Sequence, residues 1–86
     1  MKLYHVTTGK KAKLYRKTGY IKLPVRGFDS ILGATVWAMK TGRTVIYEIE
    51  GSTPILLPDH HNKWGKAYWF NENISNFKCI ISPLRG

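Results

Sequence analysis

The sequence predicts a small α+β domain, residues 1–86 forming a single unit in which two helices pack on an antiparallel or mixed sheet. Three observations carry that expectation. A chain of 86 residues has room for one core and lies near the lower limit for folding without staples. Its 43% hydrophobic and 13% aromatic content is far from disordered composition. Strand-type runs of β-branched and aromatic residues alternate with two stretches bounded by helix caps, in the order β-α-β-α-β-β-β-β.

Leu3-Tyr4-His5-Val6-Thr7 reads as the first strand. Thr8 is the expected N-cap of a helix over Lys10–Thr18, with Ala12 and Tyr15 inward and Gly19 as terminator. Tyr20–Leu23 reads as a short strand stopped by Pro24, which cannot donate to a ladder. Pro24–Phe28 is then a loop or edge segment. Asp29 or Ser30 caps a second helix, Ile31–Thr41, ended by Gly42. That helix has almost no polar face, so burial on more than one side is expected. Thr44–Glu50 is the best strand, with Val45, Tyr47 and Ile49 on one face. After a Gly51–Pro54 turn comes a short strand at Ile55–Leu57, then a polar loop, Asp59–Lys63. Lys66–Phe70 and Lys78–Ile81 close the sheet.

Charge is distributed unevenly. Residues 1–28 hold Lys2, Lys10, Lys11, Lys13, Arg16, Lys17, Lys22 and Arg26 without an acid, so +8 of the net +9 lies in the first third. Such a block either serves as a solubilising face or attracts a phosphate-bearing ligand, nucleic acid or acidic protein. With Tyr4, Tyr15, Tyr20 and Phe28 interleaved, it has the composition expected for phosphate contacts plus stacking. The single Cys excludes an internal disulfide framework and CxxC zinc sites. No apolar run is long enough to span a bilayer, so no membrane contact is expected. Met1–His5 lacks the apolar core of a secretory signal, and the expected location is the cytoplasm.

Three places could carry chemistry. His5 lies in an apolar strand, where it either satisfies a backbone carbonyl or orients a ligand through a fixed imidazole tautomer. Asp59-His60-His61-Asn62 lacks the spacing of a metal site and reads as a polar loop with a hydrogen-bonded histidine beneath it. No metal is expected there. Glu72, in Asn71-Glu72-Asn73, is either a lone acid in a turn or a carboxylate at a strand end facing a cationic cleft. Glu48 and Glu50 are competing acids on one strand face. Trp37, Trp64 and Trp69 read as packing residues, and Cys79 as a buried inert thiol.

Leu3-Tyr4-His5-Val6-Thr7, the basic helix ending at Thr18-Gly19-Tyr20-Ile21, and Ala34-Thr35-Val36-Trp37-Ala38 leading into Val45-Ile46-Tyr47-Glu48-Ile49 resemble in order the ADP-ribosyltransferase superfamily. The closing Phe70-Asn71-Glu72-Asn73-Ile74 is similar to the Asn-Glu segment of some members. The resemblance implies an NAD-binding cleft between small sheets, with His5 holding the nicotinamide ribose or amide. It also implies Glu72 as the acid that supports glycosidic cleavage, and Thr7, Arg26, Phe28 and Tyr47 as cofactor-binding residues. Phe28 and Tyr47 both fit the family's middle aromatic, and Arg26 would sit by the pyrophosphate. The chain also resembles small phage and prophage proteins through Pro24–Phe28, Trp37–Arg43 and Leu57–Asn62. That likeness implies a host-directed role in the host cytoplasm. Two functions follow: an ADP-ribosyltransferase-like, NAD-binding domain acting on a host protein or nucleic acid, or a non-enzymatic accessory protein. In the second, Lys10, Lys11, Lys13, Arg16, Lys17 and Lys22 bind nucleic acid or an acidic partner. Whether the domain is an enzyme stays open at this level.

Overall fold

A computed structural model describes residues 1–81. Strand β1 (Lys2–Thr7) leads to helix α1 (Gly9–Thr18), strand β2 (Val25–Phe28) and helix α2 (Ile31–Thr41). Strands β3 (Val45–Glu50) and β4 (Ile55–Leu56), a 3-10 turn (Pro58–His60), and strands β5 (Ala67–Phe70) and β6 (Asn76–Ile81) follow. All strand pairings are antiparallel, and the six described strands form one sheet in the order β4-β5-β2-β1-β3-β6.

The caps explain the helix bounds. Thr8 Oγ1 accepts from the Lys11 N–H, and Ser30 Oγ accepts from the Gly33 N–H. Each helix ends on a glycine in the left-handed region, Gly19 at φ 82° and Gly42 at φ 70°. Asp29 is not the cap; its Oδ1 accepts from the Lys66 N–H and ties β2 to β5.

Because side chains alternate across a strand, β1 feeds two cores. Leu3 packs with Ala12 and Tyr15 of α1 and with Val45, Tyr47 and Ile49 of β3. Val6 packs with Ala34 and Ala38 of α2 and with Phe28 and Ile46. The helices therefore cover opposite faces of the sheet.

Three local expectations are corrected. Tyr20–Leu23 is not a strand, since only Ile21 forms a bridge, to Ile74. Pro24–Phe28 is neither loop nor edge: Val25–Phe28 is an interior strand between β5 and β1. Pro24 precedes the ladder, so its missing N–H interrupts nothing. Helix α2 buries one stripe only, Gly33, Ala34 and Ala38, while Ile31, Leu32 and Met39 are 47%, 53% and 79% exposed.

The sheet is close to two half-sheets. On one side, β1 and β3 pair over their full length, from Lys2↔Glu50 to Thr7↔Val45. On the other, β2 and β5 pair from Val25↔Phe70 to Phe28↔Ala67. Between the halves the register is confined to Tyr4↔Phe28. Gly27 makes that junction possible, because a Cβ there would lie 2.9 Å from Leu3 Cβ and 3.1 Å from the Tyr4 carbonyl oxygen.

Candidate functional site

A cavity of about 330 Å³ opens beside this junction, and its walls come from both layers. His5, Thr7 and Tyr15 supply the wall on the α1 side; Phe28, Trp37 and His60 supply the wall on the α2 side. Lys11, Lys22, Arg26 and Arg43 also line it, and no acidic residue does.

His5 bridges the two half-sheets. Its Nδ1 lies 2.6 Å from the carbonyl oxygen of Arg26, and its Nε2 lies 3.1 Å from the Tyr15 hydroxyl. A carbonyl can only accept, so Nδ1 carries the proton and donates. In the neutral ring Nε2 is then an acceptor, and the Tyr15 hydroxyl donates to it. Thr7 Oγ1, 3.3 Å from the Tyr15 oxygen, supplies the next link by donating to that oxygen. The His5 pKa is lowered from 6.5 to about 4, chiefly by burial; the Arg26 hydrogen bond opposes the fall, and the Lys11 and Arg43 charges add to it. At neutral pH the imidazole is therefore uncharged and held in one tautomer. Burial likewise raises the Tyr15 pKa, which keeps the phenol protonated as the donor this chain requires.

Aromatic packing fixes these groups. Tyr15 meets Tyr47 edge-on at 5.8 Å, and Tyr47 meets Phe77 at 5.5 Å. Across the cavity, Trp37 lies 6.0 Å from both Phe28 and His60. His60 Nδ1 is buried without a hydrogen-bond partner among the described residues. Being buried, that nitrogen is not open to the cavity, and its missing partner is a local cost to the fold.

The structure brings His5 together with Thr7, Arg26 and Phe28 of the cofactor-binding set and with Lys11 and Lys22 of the cationic set. It separates the others. Tyr47 is 2% exposed and stands one ring behind the cavity, buttressing Tyr15 instead of lining the site. Glu72 does not face the cationic cavity: its carboxylate accepts from the Ser52 N–H at 2.6 Å, with Ser52 Oγ 3.4 Å away. Ser52 follows Gly51, which pairs with Met1 at the start of β1. His5 lies four residues along that strand, roughly 13 Å away. Glu48 and Glu50 pair with Lys2 and the terminal amine. Lys10, Lys13 and Lys17 line a shallow groove on the outside of α1, and Arg16 is exposed on the same helix.

The polar loop is structural on one side and open on the other. His61 Nδ1 accepts from the Ala67 N–H, and the Asn62 side chain donates to the Gly33 carbonyl, while His60 turns to the cavity. No three His, Cys, Asp or Glu side chains cluster among the described residues. Cys79 is exposed, contrary to its expected burial. Tyr15 and Phe28 are buried, so neither stands on the basic surface as a stacking ring. Sequence reasoning placed Tyr15 inward but missed its bond to His5. It also missed Arg43, just past the cap of α2. The only available signal was Tyr15's place on the buried helix face, opposite a strand bearing His5 and Thr7.

No helix among the described residues is long and apolar enough to cross a membrane. No protein-family model, curated protein or solved structure matches the chain.

Proposed function

We propose that this domain binds a phosphate-bearing nucleotide in the His5 cavity, with NAD the first candidate. The observation that carries the reading is a single concavity combining aromatic walls, four cations without a counter-acid, and a neutral histidine locked by hydrogen bonds. Lys11 and Arg43 offer charge-assisted hydrogen bonds to phosphate. Trp37 offers a ring for a base or nicotinamide to pack against. The His5–Tyr15 pair can exchange its mutual bond for one to a ribose hydroxyl.

A volume of about 330 Å³ is at the small end of ligand pockets, which run from roughly 300 to 1,000 Å³. It suits one nucleoside half of a dinucleotide, the remainder leaving by the mouth. The likeness to ADP-ribosyltransferases supports NAD through His5, Thr7 and Arg26. It does not extend to Glu72, whose carboxylate is engaged by Ser52. The reading is therefore a binding function in which Glu72 takes no part.

Isothermal titration with NAD, nicotinamide mononucleotide and AMP tests it. His5→Ala and Arg43→Ala each lower affinity by about tenfold or more, the equivalent of one hydrogen bond. Glu72→Gln leaves affinity unchanged. Absence of binding to all three compounds at millimolar concentration, with the protein folded, would overturn the proposal.

A further inference from the structure

We infer that the outer face of α1 docks single-stranded nucleic acid and leads the strand to the mouth of the His5 cavity. Lys10, Lys13 and Lys17 recur at i, i+3 and i+7, so they share one helix face, opposite the buried Ala12 and Tyr15. With Leu14 they line a shallow groove. That groove and the cavity have Thr8 and Lys11 in common, so the two depressions form one continuous basic surface. The ion pairs among the described residues are Met1–Glu50 and Lys2–Glu48, which leaves the α1 lysines without an acidic partner there.

The helix also carries its charge against its own dipole. Its first turn contains Lys10 and Lys11 and no acid, although the positive end of a helix favours acids. A polyanion lying along α1 offsets that repulsion. The row spans about 10 Å, enough to face roughly three phosphates of an extended strand. A single strand fits better than a duplex, because its bases are free to splay into an aromatic cavity without unpairing. It also fits better than an acidic peptide, because the row ends at a cavity sized for one nucleoside. Tyr20, 40% exposed just beyond the helix, offers an outer stacking ring.

Fluorescence anisotropy with a fluorescein-labelled 12-mer of thymidylate tests the inference on the full chain. Three phosphate contacts weaken binding by roughly 20-fold between 50 and 200 mM salt. The combined Lys10→Glu, Lys13→Glu and Lys17→Glu variant loses oligonucleotide binding, and circular dichroism reports whether it keeps its fold. The single Lys13→Glu change lowers the salt slope by about 0.7 and serves as the milder probe. NAD affinity, measured in parallel, stays within about twofold in both variants. Lys10, Lys13 and Lys17 lie outside the cavity lining, so oligonucleotide binding that persists without NAD binding counts against the cavity reading alone. Wild-type oligonucleotide affinity in the folded triple variant would overturn the inference. So would equal binding of a duplex, or equal competition by polyglutamate.

Discussion

His5 is more constrained than a histidine at a strand edge needs to be. Both ring nitrogens are engaged, one by a backbone carbonyl of β2 and one by the Tyr15 hydroxyl of α1. Removing that hydroxyl in Tyr15→Phe keeps the ring packing but strips a partner from His5 and Thr7. The expected cost is about 1–3 kcal/mol in chemical denaturation, with weaker nucleotide binding. The lowered pKa sets a pH dependence of definite sign. Below about 6.5 the unfolded chain takes up a proton at His5, whereas the folded protein does so only near 4. Stability is therefore fully present above the unfolded value and falls as the pH drops toward 4, by at most about 3 kcal/mol from this residue. Urea denaturation at pH 7, 5.5 and 4.5 measures this fall, and His5→Gln flattens the part due to His5. His60 contributes differently. Its buried Nδ1 has no hydrogen-bond partner among the described residues, so His60→Phe is expected to hold or raise stability in the same denaturation measurement.

At the scale of elements, the junction between half-sheets decides where the site lies. Confining the β1–β2 register to Tyr4↔Phe28 parts the strands beside His5, and the cavity opens there. Gly27→Ala tests the junction. Its Cβ would press on Leu3 Cβ and a β1 carbonyl, so a loss of about 1–3 kcal/mol is expected, with the cavity reshaped. Thermal unfolding reads the first effect and nucleotide titration the second. The helices were legible because their punctuation is local: Thr8, Ser30, Gly19 and Gly42 cap where their chemistry says they should. Strand β2 was not legible. Its inward residues include Gly27, which has no side chain to show the alternation, and its single polar residue, Arg26, lies only two positions after Pro24. The exposure of α2 was hidden for another reason. Ile31, Leu32 and Met39 read as core by hydropathy alone, and only the tertiary arrangement shows that α2 covers one face of the sheet.

On the whole-molecule scale, the asymmetry of charge in the sequence becomes an asymmetry of place. Cations from the first 28 residues meet Arg43 at the cavity and continue along α1, while the described acids sit elsewhere. Glu48 and Glu50 neutralise the start of β1, and Glu72 holds Ser52. The resemblance to ADP-ribosyltransferases implied that His5 and Glu72 share a cleft, but strand order alone does not say which end of the sheet a turn occupies. The bond from Ser52, next to the Gly51–Met1 pair, holds Glu72 by the start of β1 and outside the cavity lining. The most direct measurement of the cavity reading is a two-dimensional amide and indole NMR titration of the folded protein with NAD. Saturable shifts are expected at Thr7, Thr8, Phe28 and the Trp37 indole, with Ser52 and Glu72 unmoved. Spectra unchanged at millimolar NAD, or shifts gathered around Ser52 and Glu72, would contradict it.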